Sequence, residues 1–156
     1  VSDMEGVAVF NLYELSQEIV FNIDEWSKII SDASAVIYQF PFYWMSAPSL
    51  LKKWQDEVFT FLSKTPAVAG KPLTVVTTTG SEYEAYRSGG RNRFTTDELL
   101  RPYQVNAIHS GMSWQTPIVV YGMGTADAGK NIAEGANLYK QRVEMLIGNS
   151  NAGNNW

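Results

Sequence analysis

Residues 35–61 read AVIYQF, then PFYWMSAP, then SLLKKWQDEVFTF. An apolar run ends in a proline-flanked aromatic turn and passes directly into an amphipathic segment. Ala35 to Phe40 has the length and β-branched content of a strand buried on both faces. Pro41 lacks a ladder N–H and cannot carry a central strand further. Pro48 suits the first turn of a helix, with Ser46 as its cap. Leu51, Trp54, Val58 and Phe61 recur at steps of three, four and three, which puts them on one helical face. Phe42-Tyr43-Trp44-Met45 therefore stands at the carboxyl end of a strand, where open α/β sheets bind their ligands.

The rest of the chain repeats this alternation. Val7 to Leu12 predicts a first strand, and 16–23 a loop. Asp24 caps a helix whose Trp26, Ile29 and Ile30 face inward. After the connection 63–71, Leu73 to Thr79 is a second β-branched strand, closed by Gly80. Residues 81–95 are polar, carry Gly89, Gly90 and three arginines, and predict a long surface loop of the kind that is commonly functional. Thr96 caps a helix to Met112 with Leu99, Leu100, Tyr103, Ala107 and Ile108 inward, and Pro102 should kink it or move its start. Pro117 to Tyr121 is a further strand, and 122–125 a turn. Ala126 to Ile147 is a last helix, with Ile132, Ala136, Tyr139, Val143 and Leu146 as its stripe. The order β, α, β, α, β, α, β, α implies a parallel sheet covered on both faces. One domain over 1–148 with a mobile tail at 149–156 is expected.

Composition narrows the function. A net charge of −4 leaves no basic footprint for nucleic acid. With no cysteine there is no disulfide or thiolate chemistry, and the single His109 rules out a multi-histidine metal site within one chain. No apolar stretch is long enough to span a bilayer and no charged-then-apolar leader opens the sequence, so a cytoplasmic location is expected. Gly124 to Lys130 has the glycine and lysine spacing of a phosphate loop, but Asn131 follows where Ser or Thr should hold magnesium. It reads as an ordinary turn into the last helix.

At PFYWMSAPSLLKKWQDEVF the chain resembles the flavodoxin-like NAD(P)H:quinone oxidoreductases, in the branch that includes general stress proteins and ancillary subunits of potassium-efflux systems. GKPLTVVTTTG, DELLRPYQ, HSGMSW and YKQRVEML extend the resemblance over nearly the whole chain. It implies a flavodoxin-like doubly wound parallel sheet, FMN or FAD as cofactor, and NAD(P)H as hydride donor. The flavin ring would lie against Pro41, Phe42, Tyr43, Trp44 and Met45 on one side, and Thr78, Thr79, Gly80 and Ser81 on the other. Such a ring needs a flat apolar wall and fixed backbone donors, and small residues let the main chain approach. Tyr86 matches the family's tyrosine at the ring's N1/O2 edge. Where the family often has a histidine, Asn92 stands beside Arg91, which removes a proton relay and leaves Arg91 to supply charge.

The family pattern begins with a strand, a phosphate loop and a helix that do not precede Val7 here. In the strand order 2-1-3-4-5 that strand lies between 7–12 and 35–40. Its loss strips on the order of ten backbone groups of partners at about 1–3 kcal/mol each if buried, against a total domain stability of about 5–15 kcal/mol. The expectation is therefore a chain that is part of a longer protein; direct pairing of Val7–Leu12 with Ala35–Phe40 would contradict it. The implied function is ping-pong hydride transfer through flavin N5 to a quinone, in a pocket completed by a homodimer. The alternative is a regulatory flavoprotein subunit attached to a membrane potassium-efflux transporter, peripheral to the inner membrane. A single-electron flavodoxin is disfavoured, because Arg87, Arg91 and Arg93 crowd the candidate loop where such carriers are acidic.

Overall fold

The strand expected at 35–40 forms as β1, Val36–Pro41, in a computed structural model that describes residues 1–14 and 20–151. β1 runs parallel to β2, Pro72–Thr78, with Val36 opposite Leu73 and Pro41 opposite Thr78. On its other side β2 carries two short parallel strands, β3 (Ser113–Trp114) against its start and β4 (Ile118–Val120) against its end. The sheet thus has three positions with β2 in the centre, and only Thr78 of β2 is less than buried. A continuous β-branched run suits a strand covered on both faces. Pro41 fits because it is the last residue of the ladder, where a missing N–H costs nothing.

Val7–Leu12 is not a strand. It makes no ladder with β1, and nothing among the described residues pairs with that edge of the sheet. A lone extended segment would expose its backbone without partners, and irregular backbone in contact with water meets the same need. Val9 and Phe10 stay exposed, while Phe10 meets Trp26 edge-on with ring centres 5.4 Å apart and Leu12 packs on the core. Part of the loop expected at 16–23 lies outside the described residues.

Helix α1, Ile23–Asp32, is capped by Asn22 rather than Asp24; the Asn22 side chain accepts from the N–H groups of Asp24 and Glu25. Asp24 instead sits in the first turn, where the helix dipole favours a carboxylate. Trp26 and Ile30 are buried as expected, with Ile29 packed beside them.

Helix α2 begins at Pro48 without a side-chain cap, so Ser46 does not serve as one. It runs as Ser49–Trp54, one π-helical stretch Gln55–Phe59, and Thr60–Leu62. The wide π turn takes up an extra residue and moves the inward face on by one position. Leu51, Trp54 and Val58 are buried, but Phe61 is 58% exposed and Leu62 takes its place at 2%. Trp54 packs edge-on against Trp26 and Tyr38, with ring centres 5.2 and 5.9 Å apart. Three polar groups here, Tyr38 Oη, Trp54 Nε1 and Gln55 Nε2, are buried without a hydrogen-bond partner among the described residues. Burial pushes the Tyr38 phenol pKa upward.

The expected helix 96–112 divides in two. Thr95, not Thr96, is the cap, in a reciprocal box with Glu98 that opens α3, Thr96–Leu99. After Leu100, α4 spans Arg101–His109 with Pro102 in its first turn. Thr96, Leu100, Tyr103 and Ala107 face the core at steps of four, three and four, and Ile108 lies beyond the edge of that stripe at 62% exposure. Helix α5, Ala128–Asn151, lies over β4 and extends past the end expected for it. A Cβ on Gly135 would stand 2.2 Å from Val120 Cγ2. The helix therefore touches the sheet through Gly135, half-buried Tyr139, Val143 and Leu146, while Ile132 and Ala136 turn away. Of the expected tail, 152–156 lies outside the described residues. Among the described residues no helix is long and apolar enough to cross a membrane.

Candidate functional site

The register of β1 on β2 ends both strands together, so the turns that follow them stand side by side. Phe42 N–H donates to Thr78 O at 2.9 Å and ties the first turn to the second strand. Tyr43 and Ser46 then exchange backbone bonds of 2.8 and 3.0 Å around Trp44 and Met45. Those two residues have φ of 47° and 62°, the left-handed region that a tight hairpin of the I′ class requires at both central positions. Glycine or asparagine is usual there; a bulky side chain at positive φ marks strain retained for a purpose. Trp44 gains no packing in exchange, for it is 97% exposed. The base of the turn is held from below by Tyr103 of α4, whose hydroxyl accepts the Ala47 N–H at 3.1 Å and lies 3.4 Å from Ser46 Oγ.

The second turn is fixed by the loop after β4. Met123, Gly124 and Gly122 N–H groups donate to the carbonyls of Thr79, Gly80 and Ser81, each at 2.9 Å. Thr79 is buried, and its own N–H donates to Val120 O. A Cβ on Gly124 would lie 3.0 Å from Gly80 O, so this loop can approach only through glycine. In front of Gly80 there is open space: a Cβ built there meets nothing within 4 Å. The N–H groups of Trp44, Met45, Gly80 and Ser81 have no acceptor among the described residues. Four backbone donors without acceptors among the described residues thus stand in the turns after two adjacent strands, and a side chain at position 80 would enter open space.

Tyr86 joins this site from the 81–95 loop. It is buried, its ring centre lies 6.2 Å from Phe42 and 5.9 Å from Tyr121, and it sits in a single 3₁₀ turn, Tyr83–Tyr86. The loop folds back tightly: Asn92 N–H donates to Ala85 O at 3.1 Å, and a Cβ on Gly90 would lie 2.2 Å from Glu84 O. Arg91, not Asn92, reaches the strand end, where its guanidinium donates to Ser81 Oγ. Tyr121 was not singled out by sequence, although it follows β4 as Phe42 follows β1. Its hydroxyl bonds Thr96 Oγ1 at 2.6 Å, and burial raises its pKa. Lys130 and Asn131, which suggested a phosphate loop, are structural: Lys130 pairs with Glu134 and Asn131 donates to Tyr121 O.

Residues 2–143 match the family model described as the flavodoxin-like fold. The chain belongs to that family. It is 36% identical over 122 residues to the glutathione-regulated potassium-efflux system ancillary protein KefG of Serratia proteamaculans, covering 76% of this chain and 67% of that protein. Among solved structures, one described as a thermophilic tryptophan halogenase from Streptomycin violaceusniger superposes with a TM-score of 0.84 at 34% identity, covering 91% of this chain and 84% of that one. General stress protein 14 of Treponema denticola, in complex with FMN, gives 0.78 at 26% identity, over 86% and 79% of the two chains. An NADPH-quinone reductase from P. pentosaceus gives 0.66 at 31% identity, over 75% and 74%. For this flavodoxin-like chain the residues at the strand ends fit a flavin ring: an apolar aromatic wall, free donors for a polar edge, and a cradle open at Gly80.

Proposed function

We propose that this protein is a flavin-dependent NAD(P)H:quinone oxidoreductase that uses FMN. The observation that carries the reading is that the two turns after adjacent strands hold free N–H groups on Trp44, Met45, Gly80 and Ser81, with open space in front of Gly80. The likeness to the FMN-bound stress protein and to the NADPH-quinone reductase supports it. When bound, the flavin supplies a reversible hydride acceptor at N5. This chain supplies the surroundings. The four donors would hold the ring's polar edge, and Phe42 and Tyr86 would form its wall with Pro41, Tyr43, Thr78 and Thr79 framing it. The Tyr86 hydroxyl, which makes no hydrogen bond within the described residues, donates where negative charge builds up on reduction. Arg91, held on Ser81, adds a fixed positive charge that Asn92 cannot.

Trp44 and Tyr43, exposed by 97% and 61%, form the open side that NAD(P)H and the quinone take in turn. Two such aromatics in water suit closure of the pocket by a second copy of the chain. The test is NADH and NADPH oxidation by the FMN-loaded protein with a benzoquinone as acceptor. Turnover with parallel double-reciprocal lines is expected; no turnover above the FMN-free control rejects the reading.

The identity to the potassium-efflux ancillary protein favours a second reading, a regulatory subunit on a membrane transporter. Co-purification with such a transporter, unaffected by loss of quinone turnover, would establish it in place of the first.

A further inference from the structure

A cavity of about 700 Å³ runs along the outer edge of β4, away from the turns at 42–45 and 79–81. Its floor is Ile118 and Val119 of the strand; one wall is Leu138 and Met145 of α5, and the other is Tyr83, Tyr86 and Tyr121. Tyr86, Tyr121 and Thr96 border both this cavity and the surroundings of the site described above, while none of residues 41–45 or 78–81 lines it. The volume lies within the range of small-molecule sites, which are apolar with a few placed polar groups. Two guanidiniums supply those groups here. Arg142 Nη1 donates to Thr116 O at 2.6 Å, which fixes the head and leaves its other N–H groups free. Arg87 lies over the Tyr83 ring at 5.5 Å. Neither has a carboxylate within ion-pair distance among the described residues. The Tyr83 and Tyr121 rings meet edge-on at 5.3 Å, which gives a rigid aromatic wall rather than a mobile one. Asp97 also lines the cavity, near Tyr121, and adds a negative charge to the lining.

We propose that this cavity is a second binding site, for a flat aromatic carboxylate whose ring lies between the tyrosines and α5 and whose charge meets Arg142 and Arg87. Apolar walls alone would admit any hydrophobe; a guanidinium without a carboxylate partner on the lining favours an anion. The inference does not depend on flavin or on any reductase activity.

The probe is 2-naphthoate, with 2-naphthamide as its uncharged isostere, titrated into the protein by calorimetry. One naphthoate per chain is expected, with the amide about tenfold or more weaker, as befits loss of a charge-assisted hydrogen bond. Arg142→Gln and Arg87→Gln should each lower naphthoate affinity and leave amide affinity unchanged, whereas Asp97→Asn should raise it. The opposite sign at Asp97 separates a charge effect from misfolding, and unchanged far-ultraviolet spectra control for fold. Equal binding of the two probes, no binding, or an Asp97→Asn variant that binds naphthoate more weakly would overturn the proposal. So would a dimer in sedimentation that Leu138→Lys and Met145→Lys each abolish, because a second copy would then cover the cavity wall.

Discussion

Replacing Trp44-Met45 by Asn-Gly should make the protein more stable and slower in quinone turnover. Both residues lie in the left-handed region, at φ 47° and 62°. An L-residue there costs roughly 1–2 kcal/mol, and asparagine followed by glycine is the preferred pair for this turn. Trp44 is 97% exposed and Met45 42%, so little apolar burial is lost. Against the relief stands the greater freedom of glycine in the unfolded chain, about 0.5–1 kcal/mol. The net gain is about 1–2 kcal/mol, or roughly 2–8 °C in Tm for a domain of this size. Urea and thermal unfolding of the FMN-free protein, followed by circular dichroism, measure it directly. The same substitution strips Trp44 from the open side proposed for NAD(P)H and the quinone, so quinone turnover should fall. A variant that melts at or below the parent temperature would refute the argument that the turn stores strain. It would show instead that the tryptophan and methionine hold the fold.

Gly90→Ala should loosen the 81–95 loop, because its Cβ would stand 2.2 Å from a main-chain oxygen that cannot swing away; a loss of about 1–3 kcal/mol, as for overpacking, is expected by denaturation, along with faster proteolysis between 86 and 95. Tyr103→Phe removes the acceptor of the Ala47 N–H while keeping the ring, and should cost about 1 kcal/mol by urea unfolding. Thr95→Ala removes an N-cap worth about 1 kcal/mol. Its effect should also depend on pH: the Thr95 N–H and hydroxyl hold the Glu98 carboxyl below its ordinary range. A depressed acid stabilises the fold above its unfolded pKa and ceases to as pH falls through the folded one. The difference between parent and Thr95→Ala should therefore be full at neutral pH and shrink in acid.

Strands were legible where the composition left no alternative, as at 36–41 and 72–78, and so was the placing of an aromatic turn at a strand end. Phase was not. Phe61 and Leu62 exchange roles because a π turn precedes them, and no residue pattern announces a π turn. On α5 the expected stripe began at Ile132 and Ala136, since apolar side chains were counted as contacts. The helix instead meets Val120 through Gly135, whose lack of a side chain permits the approach. Val7–Leu12 has strand composition, but composition cannot supply a neighbour to pair with. At the site, Tyr103 was read as a core residue, and its ring is one; the hydroxyl that supports the Ser46–Ala47 backbone carries no sequence signal.

What the sequence could not convey about the site is its polarity. The two strand ends offer a row of free donors, and at the second turn this follows from the loop after β4. Gly122 has φ +77°, and a Cβ there would stand only 2.9 Å from Asn131 Nδ2. A Cβ on Gly124 would meet Gly80 O at 3.0 Å, so the loop passes close to the second turn there, while at Gly122 the positive φ favours glycine. Held there, residues 122–124 occupy the carbonyls of 79–81 and leave the N–H groups of Gly80 and Ser81 without partners. The hairpin at 43–46 has a parallel effect, since its two bonds use the carbonyls of Tyr43 and Ser46 and free the N–H groups of Trp44 and Met45. Donors fixed before a ligand arrives need no reorganisation as charge develops on it. A surface with this polarity favours a group that gains negative charge, so the strain at Trp44 and Met45 and the glycines at 80, 122 and 124 serve one electrostatic end.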